Sequence, residues 1–187
     1  MRLAVVAEYA FSVFVERHRA RPRMDLEIIQ EDAWQATTSR LAPFIGRELE
    51  LSGRLTSLEQ TEADKITARL ERFFQDTEPP LILRPMFPGC GYVDKSEGDV
   101  ISGDIIYEIK TVHRPVRSAD IRQVITYAAL NFASKQFTIN KMGLVNPRAA
   151  YYFHFDFDHV CAEIAGMSPP ELFRSIIDAV SSGEISR

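Results

Sequence analysis

Cysteine is scarce, with only two in 187 residues, and no apolar run reaches the roughly 18 residues that a membrane-spanning helix needs. Cys90 and Cys161 are too few for a disulfide framework and stand at no metal-ligand spacing, so a reduced, cytoplasmic chain is expected. Positive charge is also short: 22 Lys and Arg against 26 Asp and Glu leave a formal net charge of −4. Overall charge therefore cannot drive binding to nucleic acid, and any such contact has to be local, metal-assisted or shared with a partner. There is no Gly-rich phosphate loop, no internal repeat and no low-complexity tract. Glu8 and Glu16, close behind short apolar runs, argue against a signal peptide.

Apolar residues are plentiful at 45%, enough for one core with a small addition. Three segments are expected: an N-terminal addition over 1–55, a central core over 56–160 and a helical tail over 161–187. The first 18 residues, rich in β-branched and aromatic side chains, fit a helix or one or two strands equally well. The basic cluster around Arg19, Arg21, Pro22 and Arg23 reads as a solvated linker. A helix with a break near Pro43 is expected over 28–51, with Trp34 as a core anchor.

From Thr56 to Gln75 the apolar stripe Ile66, Leu70, Phe73, Phe74 predicts a clean helix, and Glu59 and Glu62 project onto the same stripe. Strand is expected over 81–87 and again over 137–145 and 150–157, with a helix over 119–132 capped by Ser118 and another over 169–181. Cys90, in a Gly-rich turn without basic neighbours, reads as a packing residue. His154, Asp156, Asp158 and His159 read as an exposed polar face, since adjacent strand positions point apart.

The chemistry concentrates at Gly98–Val112, GDVISGDIIYEIKTV, which reads as a hairpin with its turn at Ser102-Gly103. That register pairs Asp99 with Ile106 and sets Asp99, Glu108 and Lys110 on one face, with the two carboxylates diagonal neighbours about 7–8 Å apart. Glu97 would then sit directly opposite Glu108, a fallback ligand, and Asp104 reads as a turn residue. Two carboxylates on an apolar hairpin need compensation. Oxygen ligands without His or Cys favour Mg²⁺ or Mn²⁺, and an adjacent lysine suits metal-assisted phosphodiester hydrolysis. Arg114, Arg117 and Arg122 follow closely and are candidate phosphate contacts.

Asp99, followed nine residues on by Glu108-Ile109-Lys110, resembles the signature of the PD-(D/E)xK nucleases, with Gly98 in place of the proline. Gln123-Val-Ile-Thr-Tyr127 is similar to the Gln-x-x-x-Tyr element of the RecB-like and Cas4-like branch, and its two ends share a helix face. The resemblance covers residues 59–157. It implies an α/β, restriction-endonuclease-like core, a small mixed sheet flanked by helices, and a Mg²⁺- or Mn²⁺-dependent deoxyribonuclease. It also implies that Asp99, Glu108 and the Ile109 carbonyl hold the metal, that Lys110 serves the attacking water, and that Gln123 and Tyr127 steady the site. Glu62, or else Glu59, would be an auxiliary acid. The implied partners are DNA, with a second copy or a helicase or ATPase supplying targeting, in a phage-defence or DNA-processing setting and away from membranes. The alternative is an inactive relative of the same fold serving as an assembly subunit.

Overall fold

A computed structural model describes residues 2–20, 25–44, 46 and 53–182. Arg21, Pro22 and Arg23 of the basic cluster, and the end of the helix expected over 28–51, lie outside the described residues. The chain divides into two compact units, Met1–Asp76 and Thr77–Arg187.

The first unit is helical: α1 (Leu3–Arg19), α2 (Leu26–Leu41), a 3₁₀ turn at Ala42–Phe44, and α3 (Ser57–Gln75). The N-terminal segment is thus a helix rather than strands. It buries Val5, Val6 and the whole run Tyr9–Val15, so its apolar side chains cover most of the helix circumference and leave no clean period in the sequence. Trp34 of α2 is only half-buried. It meets Tyr9 edge-on and lies under the Arg54 guanidinium, a position at the rim of the core rather than its anchor.

α3 packs on α1, with Thr67 Oγ1 donating to Ala10 O at 3.0 Å and the Phe14 and Phe74 rings 5.5 Å apart. These contacts assign α3 to the N-terminal unit, so the division falls at 76/77 and not at the expected 55/56. At its start Glu59 forms a capping box with Thr56 and takes a charged bond from Arg2 at 2.8 Å. Those donors hold the Glu59 carboxyl well below the usual carboxylate range. Glu59→Gln is therefore expected to cost about 1–2 kcal/mol at neutral pH, from a weakened cap and the loss of the charged bonds from the partly exposed Arg2. Because the folded pKa is depressed, that contribution is present above the unfolded pKa and is lost as pH falls towards the folded one. Urea melts at about pH 7 and about pH 3 should show the gap between wild type and variant narrowing in acid.

The second unit is α/β. Its five-stranded mixed sheet has the order β1 (Leu81–Leu83), β4 (Val100–Ser102), β5 (Ile105–Ile109), β6 (Lys141–Asn146), β7 (Tyr151–Asp156). β5 and β6 are parallel and the other neighbours antiparallel. A separate two-stranded ribbon joins β2 (Met86–Phe87) to β3 (Ser96–Glu97), so the strand expected over 81–87 is broken at Arg84-Pro85. The parallel pair requires a crossover, supplied by α4 (Ser118–Ser134). α5 (Phe157–Ala165) and α6 (Pro169–Ser182) follow, and the segment expected as a separate C-terminal tail from 161 begins inside α5. Ile101, Ile106 and Met142 of the sheet pack with Val124, Tyr127 and Ala128 of α4, Cys161 of α5 and Phe173 of α6 in one core. On the opposite face Tyr107 lies over Gly143, where an added Cβ would fall 2.3 Å from the ring. Among the described residues no helix is long and apolar enough to cross a membrane.

The hairpin turn is Gly103-Asp104, not Ser102-Gly103. Gly103 has φ +58°, and a two-residue hairpin loop needs positive φ at its first central residue, where glycine costs least. Ser102 is drawn into β4 opposite Ile105, with its buried hydroxyl donating to Glu78 O at 2.7 Å. The register thereby shifts by two residues. Side chains keep their faces under an even shift, whereas a shift by one would have reversed them.

Candidate active site

β4 and β5 present Asp99, Glu108 and Lys110 at the end of the row that begins with Ile101 and Ile106 in the core. Val100 pairs with Tyr107 as the last pair of the ladder; continued by one position, that register sets Asp99 opposite Glu108 instead of diagonal to it, and the Asp99 charge acts on Glu108. Asp99 Oδ2 accepts the Ile109 N–H at 2.7 Å, which ties the loop before β4 onto β5. Glu97, the fallback ligand, is not opposite Glu108. It pairs with Met86 in the small ribbon and meets Arg84 at 3.5 Å. Asp104 occupies the turn, and its main-chain carbonyl accepts from Asn140 N at 2.8 Å.

Lys110 follows β5 and its Nζ donates to Glu108 Oε1 at 2.6 Å and to Gln123 Oε1 at 2.7 Å. Gln123 Nε2 in turn donates to the Tyr127 hydroxyl at 2.7 Å. Gln123 and Tyr127 lie one turn apart on the face of α4 turned to the sheet, so a single helix face completes a chain running Glu108–Lys110–Gln123–Tyr127. The Tyr127 ring also belongs to the core, stacked on Phe87 at 5.5 Å, and burial raises its phenol to about 12. Among the described residues the Lys110 ammonium spends two of its three N–H bonds in this chain.

Glu108 is 4% exposed, and its Oε2 has no hydrogen-bond partner among the described residues. Burial raises its pKa most, the Asp99 charge adds to that, and Lys110 opposes both. A buried carboxylate oxygen without a donor, facing a second carboxylate, is the feature that a cation ligand relieves. Two carboxylates joined by a main-chain carbonyl would be an all-oxygen set of the kind that suits Mg²⁺ or Mn²⁺. Among the described residues no group of three His, Cys, Asp or Glu side chains converges. The residues here that could hold a cation are Asp99 and Glu108, with the Ile109 carbonyl as a third candidate.

The arginines behave differently from one another. Arg114 makes a two-pronged ion pair with Asp120, at 2.7 and 2.8 Å. Arg117 is exposed and is the N-cap of α4, in place of Ser118, with its main-chain N–H donating to Asp120 Oδ2 at 2.9 Å. Arg122 is exposed and donates to Ser118 Oγ at 3.3 Å. Glu62 lies on α3 in the first unit and is half-buried, while Glu59 is committed to the helix cap. Asp120 was legible in sequence only as a first-turn acid. Its ion pair with a side chain six residues earlier follows from the fold of the intervening loop, for which no local pattern exists. Burial opposes it, but Arg114 and the Arg117 N–H hold the Asp120 carboxyl down at about 2.

No family model, curated protein or solved structure matches this chain.

Proposed function

We propose that the chain is a Mg²⁺- or Mn²⁺-dependent nuclease of the PD-(D/E)xK kind, with a restriction-endonuclease-like core, cleaving phosphodiester bonds of DNA. The observation that carries this reading is Asp99 held on the Ile109 N–H beside Glu108, with Lys110 bound to Glu108 and Gln123 and with Glu108 Oε2 unbonded among the described residues. Asp99, Glu108 and the Ile109 carbonyl would hold the ion. Such a cation, when bound, supplies acidified water and positive charge for the developing phosphorane.

The chain's own groups do the rest. Among the described residues Lys110 keeps one N–H for the attacking water or a phosphoryl oxygen, and it is held from two sides. Gln123 fixes the ammonium from α4, and Tyr127 fixes the Gln123 amide with its oxygen towards Lys110. The Ile109 N–H holds Asp99 in place. The reading is tested by incubating purified protein with linear, circular and single-stranded DNA in Mg²⁺, Mn²⁺ or EDTA. Cleavage that requires the metal and is lost in Asp99→Asn is expected. Absence of cleavage on all three substrates, together with absence of Mn²⁺ binding, would contradict it and favour an assembly subunit.

A further inference from the structure

The Arg114 guanidinium is anchored through one of its edges only. Nη1 donates to Asp120 Oδ2 at 2.7 Å and to Pro115 O at 3.0 Å, and Nη2 donates to Asp120 Oδ1 at 2.8 Å. These bonds use three of its five N–H groups. The remaining Nη2–H and the Nε–H lie side by side on the other edge of the plane, and among the described residues neither has an acceptor. That edge is a ready fork for two oxygens of one anion.

The fork is rigid because its anchor is. Asp120 has a side chain only 5% exposed, against 30% for Arg114, and its Oδ2 is tied as well to the N–H of Arg117, the N-cap of α4. Long arginines ordinarily lose rotamer freedom on binding, and here that cost is already met by folding. The clamp also adjoins the chemistry. Asp120 feels the Lys110 ammonium, and its charge adds to that acting on Glu108. Among the described residues Arg117 and Arg122 have no comparable carboxylate anchor, and their charges offer screened attraction.

We propose that the free edge of Arg114 receives the two non-bridging oxygens of a phosphodiester flanking the one cleaved, with Asp120 as the positioning residue. The identity of the ligand rests on the nuclease reading, but the anion site does not. The test is fluorescence anisotropy with labelled single- and double-stranded DNA oligonucleotides in EDTA, so that nothing is cleaved, over a range of salt. Arg114→Ala should weaken binding about tenfold and reduce the salt slope by about one. Arg114→Lys, which keeps the charge and a partner for Asp120, should lose most of that affinity because it has no fork. Asp120→Asn should weaken binding severalfold with Arg114 intact, and Arg122→Ala should cost less than Arg114→Ala. Thermal melts identify any variant that has merely unfolded, and Arg114→Lys then decides. Wild-type affinity in Arg114→Lys, or an unchanged salt slope in Arg114→Ala, would overturn the proposal. Arg114-dependent binding by a protein that never cleaves would leave the anion site standing and remove the nuclease reading. Cleavage with Arg114-independent binding would do the reverse.

Discussion

Lys110→Ala is expected to lower DNA cleavage by about 10²–10⁴-fold, the range that a positioned proton-transfer group contributes, with little change in DNA binding. The side chain sits between Glu108 and Gln123, so truncation removes the donor serving the water or phosphoryl oxygen and leaves two acceptors facing each other. Lys110→Arg should not rescue. A planar fork cannot make the same compact contacts to Glu108 and Gln123 while reaching the substrate. Gln123→Ala should fall between wild type and Lys110→Ala, because it frees the ammonium without deleting it. Its effect should appear in kcat rather than KM, which single-turnover assays at saturating DNA would separate. Equal activity in Lys110→Ala and wild type would remove Lys110 from the reaction.

Glu108→Gln is expected to abolish metal-dependent activity while making the metal-free protein more stable, by on the order of 1–2 kcal/mol at neutral pH. The side chain is buried beside Asp99, and among the described residues its Oε2 has no donor. Lys110, partly exposed and still bound to Gln123, tolerates loss of the charge. The folded pKa of Glu108 is raised, chiefly by burial and then by Asp99. Between the ordinary carboxylate value and that raised value the folded state binds the proton more tightly than the unfolded chain. Wild-type stability therefore falls as pH rises through the window, and the variant lacks that fall. Melts in EDTA should give the variant the higher Tm near neutrality, with the gap closing in acid. Saturating Mn²⁺ should reverse the order by stabilising wild type alone, by about 2.7 kcal/mol at a hundredfold excess over Kd. A variant less stable than wild type at every pH in EDTA would mean that the Glu108–Lys110 pair, not metal binding, is what the site is built for.

Much of this was legible in the chain. The helices α3, α4 and α6 announce themselves by apolar stripes, and the convergence of Asp99, Glu108 and Lys110 follows from strand alternation alone. The spacing of Gln123 and Tyr127 places them on one helix face, and the structure brings that face to Lys110. The register was misread because Ser102-Gly103 and Gly103-Asp104 are both turn-like pairs. The choice falls to which central residue must take positive φ, and the even shift left the faces unharmed. α1 could not be told from strand, since it is buried nearly all round. α5 was missed because Asp156 is both the last residue of β7 and the N-cap of the helix, so no loop separates the two periods. The Asp120–Arg114 clamp depends on the path of the Lys110–α4 loop, which sequence spacing does not encode.

The most direct test of the central claim is calorimetric titration of Mn²⁺ into the wild-type protein, Asp99→Asn and Glu108→Gln. The arrangement of these two carboxylates predicts an ion bound by wild type, with affinity falling sharply in both variants. No binding by wild type, or binding that survives Glu108→Gln unchanged, would contradict it.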